Sequence, residues 1–158
     1  MFPATQNCIE RAFKDYMPES WKPVPYFFYG TLMDGGQLTS VLDLTSPPIL
    51  RPAFIVGYSI KMWGPFPTLV EGPPGNIING MAYEVQSEED EWNLAYYETD
   101  AYKSVSCSIR PAGGGDGISG RTFVWAHDPN HEDLSPGSFD FEEWKKARYG
   151  FEEVETDL

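Results

Sequence analysis

The chain of 158 residues carries 24 acidic against 11 basic residues, a net charge of −13, and such a field repels phosphate backbones and anionic headgroups, which argues against a nucleic-acid or membrane-surface role. Its length fits one domain (1–158) that buries roughly two thirds of the surface it exposes unfolded, and its two cysteines, Cys8 and Cys107, make no disulfide framework. No apolar run is long enough for a bilayer, no signal peptide opens the chain and no Asn-x-Ser/Thr acceptor occurs, so the cytoplasm is the expected compartment.

In chain order, Cys8, Ile9, Ala12, Phe13, Tyr16 and Met17 paint one helical stripe, predicting a surface helix over 4–18. Pro23 and Pro25 lead from it into Tyr26-Phe27-Phe28-Tyr29, an aromatic strand that runs into Gly30-Thr31-Leu32. A glycine at such a turn lets backbone approach a ligand, and successive N–H groups there can converge on a carboxylate. Gln37 to Leu44 reads as a short helix, and Ile49 to Trp63 as extended chain with Phe54, Val56, Tyr58, Ile60 and Met62 alternating. Gly64 to Gly75 is so rich in Pro and Gly that it reads as a long shaped loop, ordered by Phe66, Leu69 and Val70. Ile77 to Val85 is a strand, with Gly80 a bulge or a point of close approach.

Ser87 followed by Glu88-Glu89-Asp90 starts a helix that ends near Glu98-Thr99-Asp100. Tyr102 to Ile109 and Gly120 to Ala126 are strands joined by a flexible Gly113 to Gly117 connection, and Phe139 to Tyr149 is a last amphipathic helix before a fraying acidic tail. Strands interrupted by short helices make the fold class α+β. The high aromatic content, 10 Phe, 9 Tyr and 5 Trp, suits the walls of a small-molecule pocket as well as a β-rich core.

Of the carboxylates, Glu98 stands out. Behind Tyr96-Tyr97 at a helix C-terminus, apolar walls and the dipole both disfavour its charged form, which would raise its pKa and suit it to proton transfer near neutrality. Spacing alone favours the plainer alternative, a solvated helix-end acid. Glu88, Glu89, Asp90 and Glu91 read as a capped, solvated first turn. His127 and His131, with Glu132 and Asp133, are separated by a Pro129 turn, so helical presentation to a metal is disfavoured and no metal site is expected. Neither cysteine has a basic neighbour to activate it, no Gly-x-Ser-x-Gly elbow occurs, and Gly113 to Gly117 lacks the Lys-Ser/Thr of a phosphate loop.

Four segments in order resemble the gamma-glutamyl cyclotransferase-like superfamily, in its AIG2-like branch. Tyr29-Gly30-Thr31-Leu32 matches the family's Tyr-Gly-Thr-Leu opening, and Phe66-Pro67-Thr68-Leu69-Val70 resembles its Tyr-Pro-Ala-Leu-Val segment. Ile78 to Val85 resembles the Gly-x-x-Tyr-x-Val strand, and Leu94-Ala95-Tyr96-Tyr97-Glu98 with Tyr102 resembles the element carrying the acid–base glutamate. The set spans about residues 26–126; the first 25 residues and the helix over 139–149 lie outside this shared core and resemble the elaborations of fungal AIG2-like proteins.

The resemblance implies a compact mixed β-barrel with flanking short helices. It implies an enzyme without cofactor or metal that releases 5-oxoproline and an amine from a small γ-glutamyl amine or peptide, with Glu98 as general acid/base. The backbone of Gly30, Thr31 and Leu32, following Tyr29, would anchor the substrate's α-carboxylate, and Phe66 and Tyr102 would wall the pocket. Three positions depart from the pattern: Thr99 stands where a glycine is expected, Ala95 where an acid is usual, and Lys103 where the family has arginine. Two further uses of the pocket stay open, another acid–base cyclisation or elimination and a non-catalytic member that binds a small metabolite or protein partner.

Overall fold

A computed structural model describes residues 20–156, with the side chains of 151–156 left aside. The helix expected over 4–18, and Cys8 with it, lie outside these residues. Strands β1 (Val24–Phe28), β2 (Arg51–Val56), β5 (Ile77–Val85), β6 (Tyr102–Pro111) and β7 (Ile118–Trp125) close a barrel in the order β1-β5-β2-β6-β7. Its seam is the parallel pairing of β1 with β7, Tyr26 opposite Arg121 and Phe27 opposite Thr122, while the other neighbours run antiparallel. Beside the barrel lies a three-stranded sheet in the order β4 (Phe66–Glu71), β3 (Tyr58–Trp63), β8 (Leu134–Ser135). Helices α1 (Gly35–Leu42), α2 (Glu88–Glu98) and α3 (Phe141–Thr156) complete the α+β fold.

The period-two alternation of the aromatic strand divides it between two cores. Phe27 and Tyr29 join Ala53, Ile55, Ile78, Ile109 and Val124, one face of every barrel strand, with Leu69 of β4. Tyr26 and Phe28 point the other way, into a cluster with Leu38 and Leu42 of α1, Leu94 of α2, Tyr83, Val85 and Phe123. Burying Phe27 completely, at roughly 1.5–3 kcal/mol for such a side chain, holds β1 at the centre of the molecule. Close approach is required at Gly80: a Cβ there would collide with the Phe28 carbonyl oxygen and lie 2.7 Å from the Phe27 ring. The residue is a contact point between strands, as its place in a strand pattern suggests.

The largest correction concerns the Gly64–Gly75 segment, which is no long loop. Trp63 and Phe66 pair directly across a two-residue hairpin turn, Gly64 taking φ +59°, and the register continues to Tyr58 opposite Glu71. Pro67 is tolerated because β4 is an edge strand, where a missing N–H leaves no ladder bond unmade. Only Gly72 to Asn76 is loop. The single extended run expected over 49–63 is likewise two strands, broken at Gly57, whose φ of +92° turns the chain from the barrel into the smaller sheet.

Asp34 caps α1 by accepting from the Gln37 N–H at 2.9 Å, and Ser87 caps α2 by accepting from the Asp90 N–H at 3.1 Å. Glu91 differs from the solvated reading. It accepts from the Trp21 indole N–H and the Tyr26 hydroxyl, both at 2.6 Å, and so ties α2 to β1 and to the segment before it. Helix α3 continues to Thr156 where a fraying tail was expected, and its Tyr149 hydroxyl donates to Asp34 at 2.6 Å.

Candidate active site

The end of β1 and the end of α2 meet at one cleft. Beyond Phe28 the chain makes a 3-10 turn, Thr31–Met33, closed by the Met33 N–H to the Gly30 carbonyl and the Asp34 N–H to the Thr31 carbonyl. The N–H groups of Gly30, Thr31 and Leu32 precede these bonds and have no backbone partner among the described residues. Gly30 is pressed against Pro67, whose Cγ would lie 3.2 Å from an added Cβ, so the turn is held against the tip of the β3–β4 hairpin.

The cleft has a volume of about 230 Å³. All seven residues expected from the sequence line it: Tyr29, Gly30, Thr31, Leu32, Phe66, Glu98 and Tyr102. Tyr29 and Tyr102 spend their hydroxyls on protein, Tyr29 donating to the Phe123 carbonyl at 2.5 Å and Tyr102 to the Pro67 carbonyl at 2.9 Å. Glu98, the last residue of α2, is largely enclosed, and no hydrogen bond joins its carboxyl to a described residue. Burial therefore acts alone, disfavouring the carboxylate and pushing its pKa from 4.5 to about 7. Desolvation is the cause that the surroundings of Glu98 supply. Burial also raises Tyr29 and Tyr102, and the nearby negative charge of Glu98 adds to both.

Several lining residues were not expected from the sequence, Tyr97 and Trp63 among them. Tyr97 reaches across the cleft: its hydroxyl lies 2.7 Å from Thr31 Oγ1 and accepts from Gln37 Nε2 at 2.9 Å. Its position just before Glu98 was the available signal, since consecutive residues at a helix end can both face one cavity when the helix stops there. Trp63 stands edge-on to Tyr102, with centroids 6.2 Å apart, and Trp125 packs against both. Reading Gly64–Pro65 as a tight turn would have put Trp63 beside Phe66.

The other candidates lie elsewhere. His127 and His131 set their rings edge-on to Trp125, and the His131 Nδ1 accepts from the Asp133 N–H at 3.1 Å. Among the described residues no three His, Cys, Asp or Glu side chains gather as metal ligands would. Cys107 does have a basic neighbour, contrary to the sequence reading: Arg121, from the adjacent strand, pulls its pKa down, but burial wins and pushes the thiol up to about 11. It is a packing residue, not a nucleophile. No described helix is long and apolar enough to cross a membrane.

The model of the family described as "Gamma-glutamyl cyclotransferase, AIG2-like" matches residues 26–146. The chain belongs to this family. Among solved structures, similar folds include two Arabidopsis thaliana proteins, at 24% and 23% identity with TM-scores of 0.63 and 0.62. The first covers 89% of this chain and 82% of its own length, the second 87% and 90%. An AIG2-like protein from Mus musculus is 18% identical over 76% of this chain and 90% of its own, with a TM-score of 0.55. At these identities the likeness shows the fold alone. No curated protein matches the sequence.

Two of the three departures from the AIG2-like pattern lie off the cleft. Ala95 and Lys103 are exposed and do not line it. Thr99 does line it, and it takes φ +67° with ψ −178°, a conformation that belongs almost wholly to glycine. The AIG2-like glycine expected after the glutamate thus has a backbone reason, and here a β-branched residue is held in its place.

Proposed function

We propose that the protein is a cofactor-independent cyclotransferase that converts a γ-glutamyl amine or peptide to 5-oxoproline and a free amine, with Glu98 as the proton carrier. The observation that carries this reading is a buried carboxyl, without a hydrogen-bond partner among the described residues, that lines the same cleft as a turn with uncommitted backbone N–H groups; burial pushes its pKa up to about 7.

The substrate's α-carboxylate is held by the N–H groups of Gly30, Thr31 and Leu32, which folds the glutamyl chain so that its α-nitrogen faces the γ-carbonyl carbon. Glu98, as carboxylate, takes a proton from the α-ammonium. The freed nitrogen then bonds to the γ-carbon, closing a five-membered ring and giving a tetrahedral intermediate. As the bond from the γ-carbon to the departing nitrogen breaks, Glu98 returns the proton to that nitrogen. The extra proton still on the ring nitrogen then passes through the same carboxyl to the released amine, which leaves as an ammonium, so two protons in all move from the α-nitrogen to the departing nitrogen, no water is consumed, and the enzyme ends in its starting state. A pKa near neutrality suits both transfers, a contribution of about 10²- to 10⁴-fold, or about 3 to 5 kcal/mol. Ring closure is intramolecular, so the rest of the task is orientation by the turn and by the walls, Phe66 and Tyr102.

The test is to incubate the protein with γ-glutamyl amines and peptides and to detect 5-oxoproline by mass. Release by the wild type, and its loss by about 10²-fold or more in a folded Glu98→Gln variant, is the expected result. Turnover unchanged by the substitution would overturn the role given to Glu98. A cleft that binds such compounds without product would favour the non-catalytic alternative.

A further inference from the structure

The lining of the cleft divides by chemistry. Toward the turn are the free N–H groups; toward the hairpin, Trp63, Phe66 and Tyr102 present aromatic surface and nothing charged. No Lys, Arg or His lines the cleft, and Glu98 is its one carboxyl. Most of its hydroxyls are engaged with protein: Tyr29 donates to the Phe123 carbonyl, Tyr102 to the Pro67 carbonyl, Thr31 and Tyr97 bond each other, and Thr99 accepts from the Ala101 N–H. We infer, on the reading of the site given above, that the departing amine is uncharged beyond its reacting nitrogen and carries an aromatic or similarly bulky apolar group packed between Trp63, Phe66 and Tyr102.

Each alternative meets a specific obstacle. A leaving amino acid or peptide brings a carboxylate into a cleft with no cation, next to Glu98 and inside a molecule of net charge −13. A leaving diamine brings a second ammonium whose one counter-charge in the lining is Glu98, which the reaction occupies. An aromatic group needs neither, and its slot is formed in advance. Trp63 is fixed with its ring 6.2 Å from that of Tyr102 and 5.6 Å from that of Trp125, while Phe66, across the hairpin turn, lines the cleft and is 43% exposed. Aromatic rings attract in edge-on and offset arrangements, so a third ring gains from packing here.

Matched probes separate the possibilities: γ-glutamyl-phenethylamide against γ-glutamyl-phenylalanine, which differ by one carboxylate; the n-pentylamide against the mono-amide of 1,5-diaminopentane, which differ by one ammonium; and the methylamide as the smallest amide. With 5-oxoproline as readout, kcat/KM for the phenethylamide should exceed that for γ-glutamyl-phenylalanine by about 100-fold or more. It should exceed that for the methylamide by about 10- to 100-fold, and the pentylamide should exceed its amino counterpart. Trp63→Ala should lower the phenethylamide value at least tenfold more than the methylamide value. Phe66→Ala, at an exposed position that tolerates truncation, should act in the same direction. A carboxylated or aminated probe that matches its neutral partner, or variants that affect all probes alike, overturns this inference while product formation upholds the cyclotransferase reading. Product from none of the probes overturns both.

Discussion

The Tyr97 hydroxyl lies 2.7 Å from the Thr31 hydroxyl, so the residue before the candidate acid–base group is hydrogen-bonded to the turn that faces it. The same hydroxyl accepts from the Gln37 amide at 2.9 Å, and through these two bonds α2 and the start of α1 are fixed around the cleft. Register across the cleft is therefore set by one phenol. Tyr97→Phe keeps the ring but leaves the Thr31 hydroxyl and the Gln37 amide without this partner, where the Gln37 Oε1 already lacks one. The expected loss of stability is about 1–3 kcal/mol by urea denaturation. If the proposed chemistry holds, kcat/KM should also fall by about tenfold, because the carboxyl and the turn lose their common reference. A variant as stable as the wild type would show the hydrogen bonds to be incidental.

Burial of Glu98 makes a second prediction, in stability. With its pKa raised from 4.5 to about 7, the folded protein holds a proton that the unfolded chain has already released between those two values. Protons bound by the native state exceed those bound by the unfolded state in that window, so stability falls as pH rises from about 4.5 to about 7 and this contribution is flat above. The total is at most ~3 kcal/mol, reduced by water that reaches the carboxyl through the cleft mouth. Glu98→Gln removes the titration. Chemical denaturation at pH 8 should find the variant more stable than the wild type, and the gap should close toward pH 4.5. A gap that stays constant with pH would mean that Glu98 ionises as freely in the folded protein as out of it.

The same value gives the activity an acid limb. The proposed first step needs the carboxylate, so kcat/KM for a γ-glutamyl amide should rise with pH and level off through a midpoint near 7. A midpoint near 4.5 would show that the group acting is exposed, and would shift the proton transfer away from Glu98.

Much of this site could be read from the chain because its parts are local. A strand running into Gly30-Thr31-Leu32 and a helix ending at Glu98 are each written in a few consecutive residues, with the Ser87 cap as a short-range signal. What escaped depends on pairing between distant residues. The Pro and Gly of 64–75 argue for loop when taken one by one, yet Pro67 is harmless on an edge strand, and that it lies on an edge is decided by sheet order. Glu91 looked like a solvated first-turn acid because its partners, Trp21 and Tyr26, are some seventy positions away. For the same reason the Arg121 whose charge reaches Cys107 could not be seen before β6 and β7 were paired.

Thr99 is the residue where local preference and the fold disagree. It ends α2 with φ +67° and ψ −178°, and its N–H still closes the helix on the Ala95 carbonyl at 3.0 Å, so the conformation is imposed by the turn that brings Tyr102 back to the cleft. A β-branched side chain in this region costs about 1–3 kcal/mol, whereas glycine adopts it freely. Glycine also raises the entropy of the unfolded chain by roughly 0.5–1 kcal/mol, which offsets part of the gain. Thr99→Gly should therefore stabilise the protein by about 1 kcal/mol, while Thr99→Val, with equal branching, should leave the strain in place. Equilibrium unfolding of the two variants decides between strain and a compensating contact: a destabilised glycine variant would mean that the Thr99 side chain, which accepts from the Ala101 N–H at 3.3 Å, contributes more than its backbone costs.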